Sequence, residues 1–597
     1  MRAAANEGIA AGIWARQLTA ATGAATFGLA MRARLDVALL SILLCSVAAQ
    51  TPTVTFGGET MRLRSGTVTA AGAAFNVTLV MENDNVDPSL GSSFRRWWHC
   101  QIGGLGPAGV TLHISVTNAG YSDVILPVWA QSTNGTTFGS YARVPVSATP
   151  SVSGGTVHNF TLAVPAGVIA IRLAKYFPYS VTRKNNFVAS LTGHPRVRSI
   201  GSLGNSVQGR PIHKIELTDS TVPDAGKKRV WIHAGIHPAE STSYFTVEGL
   251  VEWLLSGDPW AAVLLDRALI ELMPMVNPDG VFLGNYRTNV NSADLEAEWS
   301  APYNSTQPEV IALRTAIEGY MGTVASPGAN PIRVLLNLHS SHNVDYPFHF
   351  RHTANPNWHP TTNNTGVIPV VNAAEGQWIA QFEARSPFVS LGTTQASALV
   401  SRPFVESMCH DRWTAVNGWL NPPGLQELVM AITFEGTYRR GPDTVTWNTE
   451  ADYRLVGAQM GRALCDHLGL QLTASLQSYG APCVTDSFTG VLVPQPNGTH
   501  LAVLQVAGAA PNAFGLLVLG GTQLALPLPA PWAPCTLLCS PDVTAGFVAD
   551  AAGLAQLLLT VPAAPGLLAF LQYVTFDLSL PGVPLDASNG LRISNDY

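Results

Sequence analysis

Along residues 51–185, apolar and polar positions alternate in short runs, the pattern of half-buried strands. VTLHISVTNAG (110–120), DVILPVWAQS (123–132) and GVIAIRLAKYF (167–177) are of strand length, with Gly, Asn and Pro between them. They predict an N-terminal β-sandwich over 51–185. The pattern changes near residue 200. KKRVWIHAGI (227–236), ALIELMPMV (268–276), IRVLLNLH (332–339) and ELVMAITFE (427–435) are nearly continuous apolar runs, as strands buried on both faces are. Other segments show the longer period of a helix. STSYFTVEGLVEWLLSG (241–257) opens on Ser/Thr and closes on Gly257, and TEADYRLVGAQMGRALCDHLG (449–469) opens on Thr449 and closes on Gly469. Strands alternating with helices predict an α/β domain over 186–470. After Cys483 the runs GTHLAVLQVAG, FGLLVLGG, LAQLLLTVP and LLAFLQYVTFDL are again strand-like, and predict a separate all-β domain over 484–597.

Composition agrees with this division. The 597 residues are 47% hydrophobic, enough for several cores. Only 12% are Asp, Glu, Lys or Arg, about half the usual share. The 54 Gly and 41 Pro favour strands and turns over helical bundles. With a net charge of -6 and no basic tract, nucleic acid is excluded as an expected partner. From Met31 the chain reads MRARLDVALLSILLCSVAAQ: two arginines, a short apolar run, then small residues at Val47-Ala48-Ala49. That is the order of a secretory signal peptide. Residues 1–50 therefore read as a signal region with Met31 as its start, and a mature protein beginning near Gln50 is expected to be secreted or periplasmic. The run is too short to cross a bilayer comfortably, and no stable membrane span is expected. Beyond Cys45 lie Cys100, Cys409, Cys465, Cys483, Cys535 and Cys539, an even set that permits disulfides in an exported protein and leaves their pairing open. None forms a CxxC pair, so a cysteine metal site is not expected.

The candidate chemistry gathers at strand ends. His237-Pro238-Ala239-Glu240 directly follows VWIHAGI, and a His and a Glu three apart on such a turn can converge on one metal ion. Two imidazoles and a carboxylate leave a fourth zinc position open, and His339, ending IRVLLNLH, can supply the third ligand. His233 and His342 are nearby competitors. Sites of open α/β sheets form beyond the carboxyl ends of strands, where these pieces fall. Glu435 ends AITFE; it is either a strand-end charge in an ion pair or a base beside the metal.

HPAE (237–240), NPDG (277–280), GNYRTN (284–289), NLHSSH (337–342) and TFEGTY (433–438) stand in the order found in the M14 zinc carboxypeptidases, and the chain most resembles their cytosolic-carboxypeptidase-like branch, which also carries a β-sandwich ahead of the catalytic domain. The resemblance covers roughly residues 90–470. It implies a central mixed sheet with helices on both faces, flanked by the N-terminal β-sandwich and the C-terminal all-β domain. It implies one Zn2+ per chain held by His237, Glu240 and His339, with Glu435 as general base and Arg287 stabilising the oxyanion. The implied activity is hydrolysis of an amide bond in a peptide or protein substrate. Two departures bear on specificity. The family's DLNRxW segment reads Asp294-Leu295-Glu296-Ala297-Glu298-Trp299, so Glu296 and Ala297 replace the Asn-Arg pair that grips the substrate's terminal carboxylate. The family tyrosine some twenty residues before the base is also missing, which leaves Tyr438, His410 or Arg412 to touch substrate. Glu296 and Tyr438 are thus candidate substrate-binding residues. An amidase indifferent to a free C-terminus, or a zinc-holding binding protein with weakened turnover, remain alternatives. No feature sets an oligomeric state.

Overall fold

Long apolar runs become the middle of an eight-stranded sheet. In chain order its strands are β1 (Val197–Asn205), β2 (Pro211–Leu217), β3 (Lys228–Ala234), β4 (Ala268–Met273), β5 (Ile332–Ser341), β6 (Phe348–Arg351), β7 (Gln395–Ala396) and β8 (Met430–Thr437). Their spatial order is β1-β2-β4-β3-β5-β8-β6-β7. The four central strands β4, β3, β5 and β8 are parallel, and β1, β2 and β6 pair antiparallel outside them. The structure is a computed structural model that describes residues 51–595, apart from 301, 324, 342–346, 352–367, 390–394, 397–403, 414–429, 471–473, 484–485, 496–498, 531, 534, 563–566 and 577–584.

Period-two alternation divides the sheet between two cores. Val230, Ile232, Val334, Leu336, Ile432 and Phe434 pack with α1 (Thr242–Leu254) and α3 (Glu450–His467). The intervening Trp231, Leu335 and Ala431 pack with α2 (Pro308–Met321) through Leu313, Ile317 and Met321. Helices therefore cover both faces, which is why these strands are apolar at nearly every position. Helices α1 and α3 touch backbone to backbone. A Cβ at Gly249 would lie 2.0 Å from the Arg454 carbonyl, and one at Gly457 would lie 2.0 Å from that of Thr246. The Thr449 hydroxyl and the Asp452 carboxylate form the capping box that starts α3.

Ahead of this sheet lie two five-stranded sheets. One has the order Thr53–Thr55, His99–Gly103, Ala170–Ala174, Val128–Ser132, Ala142–Arg143; the other Ser65–Ala71, Ala74–Val80, Val110–Thr117, Val157–Val164, Ser151–Ser153. In Val157–Val164 every second side chain from His158 to Val164 is buried, as expected of a sheet with one wet face. The expected strand at 123–132 starts only at Val128, just after Pro127, which has no amide hydrogen to donate. Residues 474–595 form further sheets of six, three and two strands. A disulfide joins Cys483 to Cys535 beside their core. Among the described residues no helix is long and apolar enough to cross a membrane.

Candidate active site

The chain leaves β3 through Gly235, whose φ of +74° turns the backbone and whose missing Cβ makes room for the Tyr244 ring. This delivers His237 and Glu240 to the carboxyl end of the sheet, just before α1 begins. His339 lies near the end of β5, and Glu435 is its directly registered neighbour on β8. The structure brings His237, Glu240 and His339 together, with one ligand atom from each within 4.8 Å of the others. All three are buried. His237 Nδ1 is 2.8 Å from Glu240 Oε1, His339 Nδ1 is 2.8 Å from Glu240 Oε2, and the two Nδ1 atoms are 3.1 Å apart. Zinc bonds of about 2.0–2.1 Å at tetrahedral angles place ligand atoms roughly 3.3 Å from one another, so this donor set fits one zinc ion with little adjustment. The Ser340 amide also donates to Glu240 Oε2, at 3.0 Å, and fixes the carboxylate. Burial opposes the Glu240 charge, but His237 and His339 outweigh it and hold the carboxyl well below its ordinary range.

Asp294 was not singled out by the sequence. His237 Nε2–H donates to its Oδ1 at 3.1 Å, while Arg287 Nε donates to its Oδ2 at 2.5 Å. One carboxylate thus orients both a ligand candidate and the oxyanion candidate. Burial works against the Arg287 charge, yet Asp294, Tyr286 and Glu240 raise its pKa above the usual arginine value. The signal available was the Asp heading the 294–299 segment. A second missed residue, Asp84, lies 202 positions before Tyr286 and accepts the backbone amides of Tyr286 (2.6 Å), Arg287 (2.8 Å) and Thr288 (2.8 Å). Nothing local in the sequence marks it.

Glu435 is buried beside these groups. Desolvation first, then the negative charge of Glu240, pushes its pKa up to about 8, against the pull of His339 and Arg287. His233 is kept neutral: burial, then the nearby His339, lowers it to about 3, and its Nδ1 accepts from Trp231 Nε1 at 3.0 Å. It is not part of the ligand cluster, and His342 lies outside the described residues.

The two substrate-binding candidates sit behind the ligands. Tyr438 is fully buried, stacks on Tyr176 with centroids 3.8 Å apart, and donates its hydroxyl to the Ala239 carbonyl at 3.2 Å. It braces the ligand loop from within. Glu296 is 1% exposed; its Oε1 accepts from Asn337 Nδ2 at 3.0 Å and its Oε2 faces His339 Nε2 at 3.7 Å. Neither side chain opens toward solvent. Of the arginines bordering the third and fourth predicted strands, Arg412 pairs with Glu318, and Arg440 donates to the Thr444 carbonyl while covering Trp447. Arg439 lines a cavity of about 690 Å³ together with Arg95, Arg96, Tyr121 and Asp123. Nothing is described of the side chains of Arg351, Arg402 and His410.

A parallel-centred sheet carrying a His, Glu, His cluster at its carboxyl end defines a zinc hydrolase class. Residues 185–401 match the family Peptidase_M14, zinc carboxypeptidase, and the chain is similar to proteins named cytosolic carboxypeptidases. It is 34% identical over 156 residues to cytosolic carboxypeptidase 6 of Homo sapiens, covering 24% of this chain and 30% of that one. To cytosolic carboxypeptidase 2 of Macaca fascicularis it is 28% identical over 166 residues, covering 27% of this chain and 20% of that one. The chain thus spans under a third of these curated relatives. A crystal structure of a metallo-carboxypeptidase from Burkholderia cenocepacia aligns with TM-score 0.52 and 24% identity, covering 70% of this chain and 99% of that one. That of a metallo-carboxypeptidase from Pseudomonas aeruginosa, in complex with (2-guanidinoethylmercapto)succinic acid, gives 0.52 and 20%, with 70% and 99% covered. At these identities the two structures establish the fold.

The export expected from residues 31–50 does not hold. The matched relatives are named cytosolic carboxypeptidases, which stands against a secreted or periplasmic location. Among the described residues Cys483–Cys535 is the one disulfide, and Cys100, Cys409, Cys465 and Cys539 are buried and free. The apolar run between the arginines and the small residues lies outside the described residues.

Proposed function

We propose that the chain hydrolyses a peptide bond close to a substrate's C-terminus, with zinc held by His237, Glu240 and His339, Glu435 as general base and Arg287 as oxyanion donor. The observation that carries this reading is the convergence of three buried ligand atoms at the carboxyl ends of parallel strands, with Glu435 registered beside His339. Zinc supplies Lewis acidity there, lowering the pKa of a water and polarising a carbonyl. The protein's own residues do the rest. Glu435, registered beside His339, takes the proton of the attacking water and passes it to the departing amine. Arg287, locked by Asp294, presents a fixed positive charge to the developing oxyanion. Burial of the cluster keeps competing water out and strengthens these charges.

The test is metal analysis together with hydrolysis of short peptides. Wild type is expected to carry one zinc. His339→Ala is expected to lose it, and Glu435→Gln to keep it while turnover falls about 10²–10⁴-fold. Full zinc in His339→Ala, or normal turnover in Glu435→Gln, overturns the assignment.

A further inference from the structure

Behind His339 lie two polar atoms that no hydrogen bond satisfies. His339 Nε2 and Glu296 Oε2 are both buried and lack a hydrogen-bond partner, and they face each other at 3.7 Å. The ring's other nitrogen, Nδ1, points into the ligand cluster, 2.8 Å from Glu240. With Nδ1 donating its lone pair to a metal, the ring proton resides on Nε2, aimed at Glu296. Roughly 0.7 Å of closure brings the pair to ordinary hydrogen-bond length.

Glu296 is held so that it cannot turn away. Its Oε1 accepts from Asn337 Nδ2 at 3.0 Å, and that amide also reaches Thr433 Oγ1 at 3.3 Å. The Thr433 hydroxyl in turn donates to Glu406. Asn337 is two positions from His339 on the same strand, so the frame that carries the imidazole also carries the clamp on the carboxylate. On the other imidazole, Asp294 already accepts from His237 Nε2. Asp294 caps, and Glu296 lies within, the same single turn, Leu295–Glu298. One turn thus sets a carboxylate behind each histidine.

We propose that Glu296 is a positioning residue for the metal site: it accepts the Nε2 proton of His339, fixes the tautomer that turns Nδ1 to the zinc, and so tightens zinc binding. This reassigns a position that the family resemblance gives to substrate recognition, and it rests on the zinc reading above. Carboxylates behind metal-ligating histidines are typically worth about 10–100-fold in metal affinity.

The experiment measures zinc dissociation constants by chelator competition on the full chain, with the visible absorption spectrum of the cobalt(II)-substituted protein and the melting of the metal-free form. Glu296→Gln keeps the volume and the bond to Asn337 but presents an amide to Nε2. It is expected to weaken zinc about 10–100-fold and to shift the cobalt spectrum, while the metal-free form melts no lower than wild type. Glu296→Asp, which keeps the charge but withdraws it from His339, is expected to lose affinity in the same direction and by less; it carries the test if the glutamine variant does not fold. Zinc affinity within about threefold of wild type with an unchanged cobalt spectrum overturns the proposal. His339→Ala and wild type run alongside: a wild type that binds no zinc sinks the function reading instead, whereas a tight wild type equalled by Glu296→Gln sinks only this one.

Discussion

At the scale of single residues, the site depends on carboxylates held in unlike surroundings. Glu240 is pulled down by two imidazoles, whereas Glu435 and Glu406 are pushed up by burial and by neighbouring negative charge. Arg287 donates to Asp294 and lies near enough to Glu240 to feel its charge. Arg287→Ala is expected to cut kcat/KM about 10²–10³-fold with zinc content unchanged, checked by steady-state kinetics and metal analysis. Glu406 gives a stability test. Desolvation first, then Glu296, raises its carboxyl to about 7 from an ordinary 4.5. A raised carboxyl favours the folded state fully below the ordinary value, and that contribution is lost as pH climbs through 7. Glutamine can still accept the Thr433 hydroxyl and has no charge to bury. Glu406→Gln is therefore expected to melt at the wild-type temperature near pH 4.5 and above it at pH 8, in melts followed across that range. The ligand and base candidates were legible: His339 and Glu435 end apolar runs and His237 directly follows one, where the chain's direction is set by the strand, and Glu240 stands three positions beyond His237 on the same turn. The direction of Glu296 was not legible, because a single irregular turn has no period to read it from.

Among elements, the same contrast recurs. The four parallel strands were legible because both of their faces are covered, which writes them as unbroken apolar runs. Strand β1 was missed: it reads VRSIGSLGN, has no fully buried position, and shifts register twice against β2. Its pairing comes from the sheet and not from its own side chains. The GNYR loop is also held from outside itself. Asp84 gathers three consecutive amides of that loop across 200 residues of chain, and burial raises its pKa while those donors pull it back. Removing it leaves buried amides unpaired, each costing about 1–3 kcal/mol. Asp84→Ala is expected to lower the melting temperature, and to reduce kcat/KM by at least about tenfold through a loosened Arg287, since misplacement by about 1 Å costs as much or more. Faster amide exchange at Tyr286, Arg287 and Thr288 checks that the effect starts there; normal activity with unprotected amides separates the loop from catalysis.

For the whole molecule, the seam between the N-terminal sheets and the catalytic sheet bears on what the enzyme selects. The pair that would grip a terminal carboxylate is replaced by Glu296, turned inward, and by Ala297, which has no charge. An arginine supplied from elsewhere is the side chain that best matches a carboxylate fork. The cavity of about 690 Å³ at the seam is lined by Arg95 and Arg96 from the N-terminal part and by Arg439, one residue beyond Tyr438. Its carboxylate, Asp123, is already paired with Lys175 at 3.2 Å, so the lining is net positive. Arg95 is committed to the Asn118 carbonyl and to Asn83, whereas Arg439 adjoins Tyr438, whose hydroxyl donates to the ligand loop at Ala239, and so is the anchor candidate tied most directly to the site. With Arg439 as anchor, a free-acid peptide is expected to exceed its C-terminal amide in kcat/KM by about tenfold or more, roughly 1.4 kcal/mol of transition-state binding. Arg439→Ala should erase that margin by slowing the free acid and leaving the amide unchanged. Equal rates for acid and amide in the wild type show that no arginine has taken over and that the site accepts blocked C-termini. A margin that survives Arg439→Ala places the anchor on another arginine. Restoring the family pair with Glu296→Asn and Ala297→Arg separates these outcomes further. A cavity-based anchor gains little from the restored arginine, whereas an unanchored site gains sharply on free-acid peptides. The double variant's zinc affinity has to be measured alongside, because Glu296 also stands behind His339.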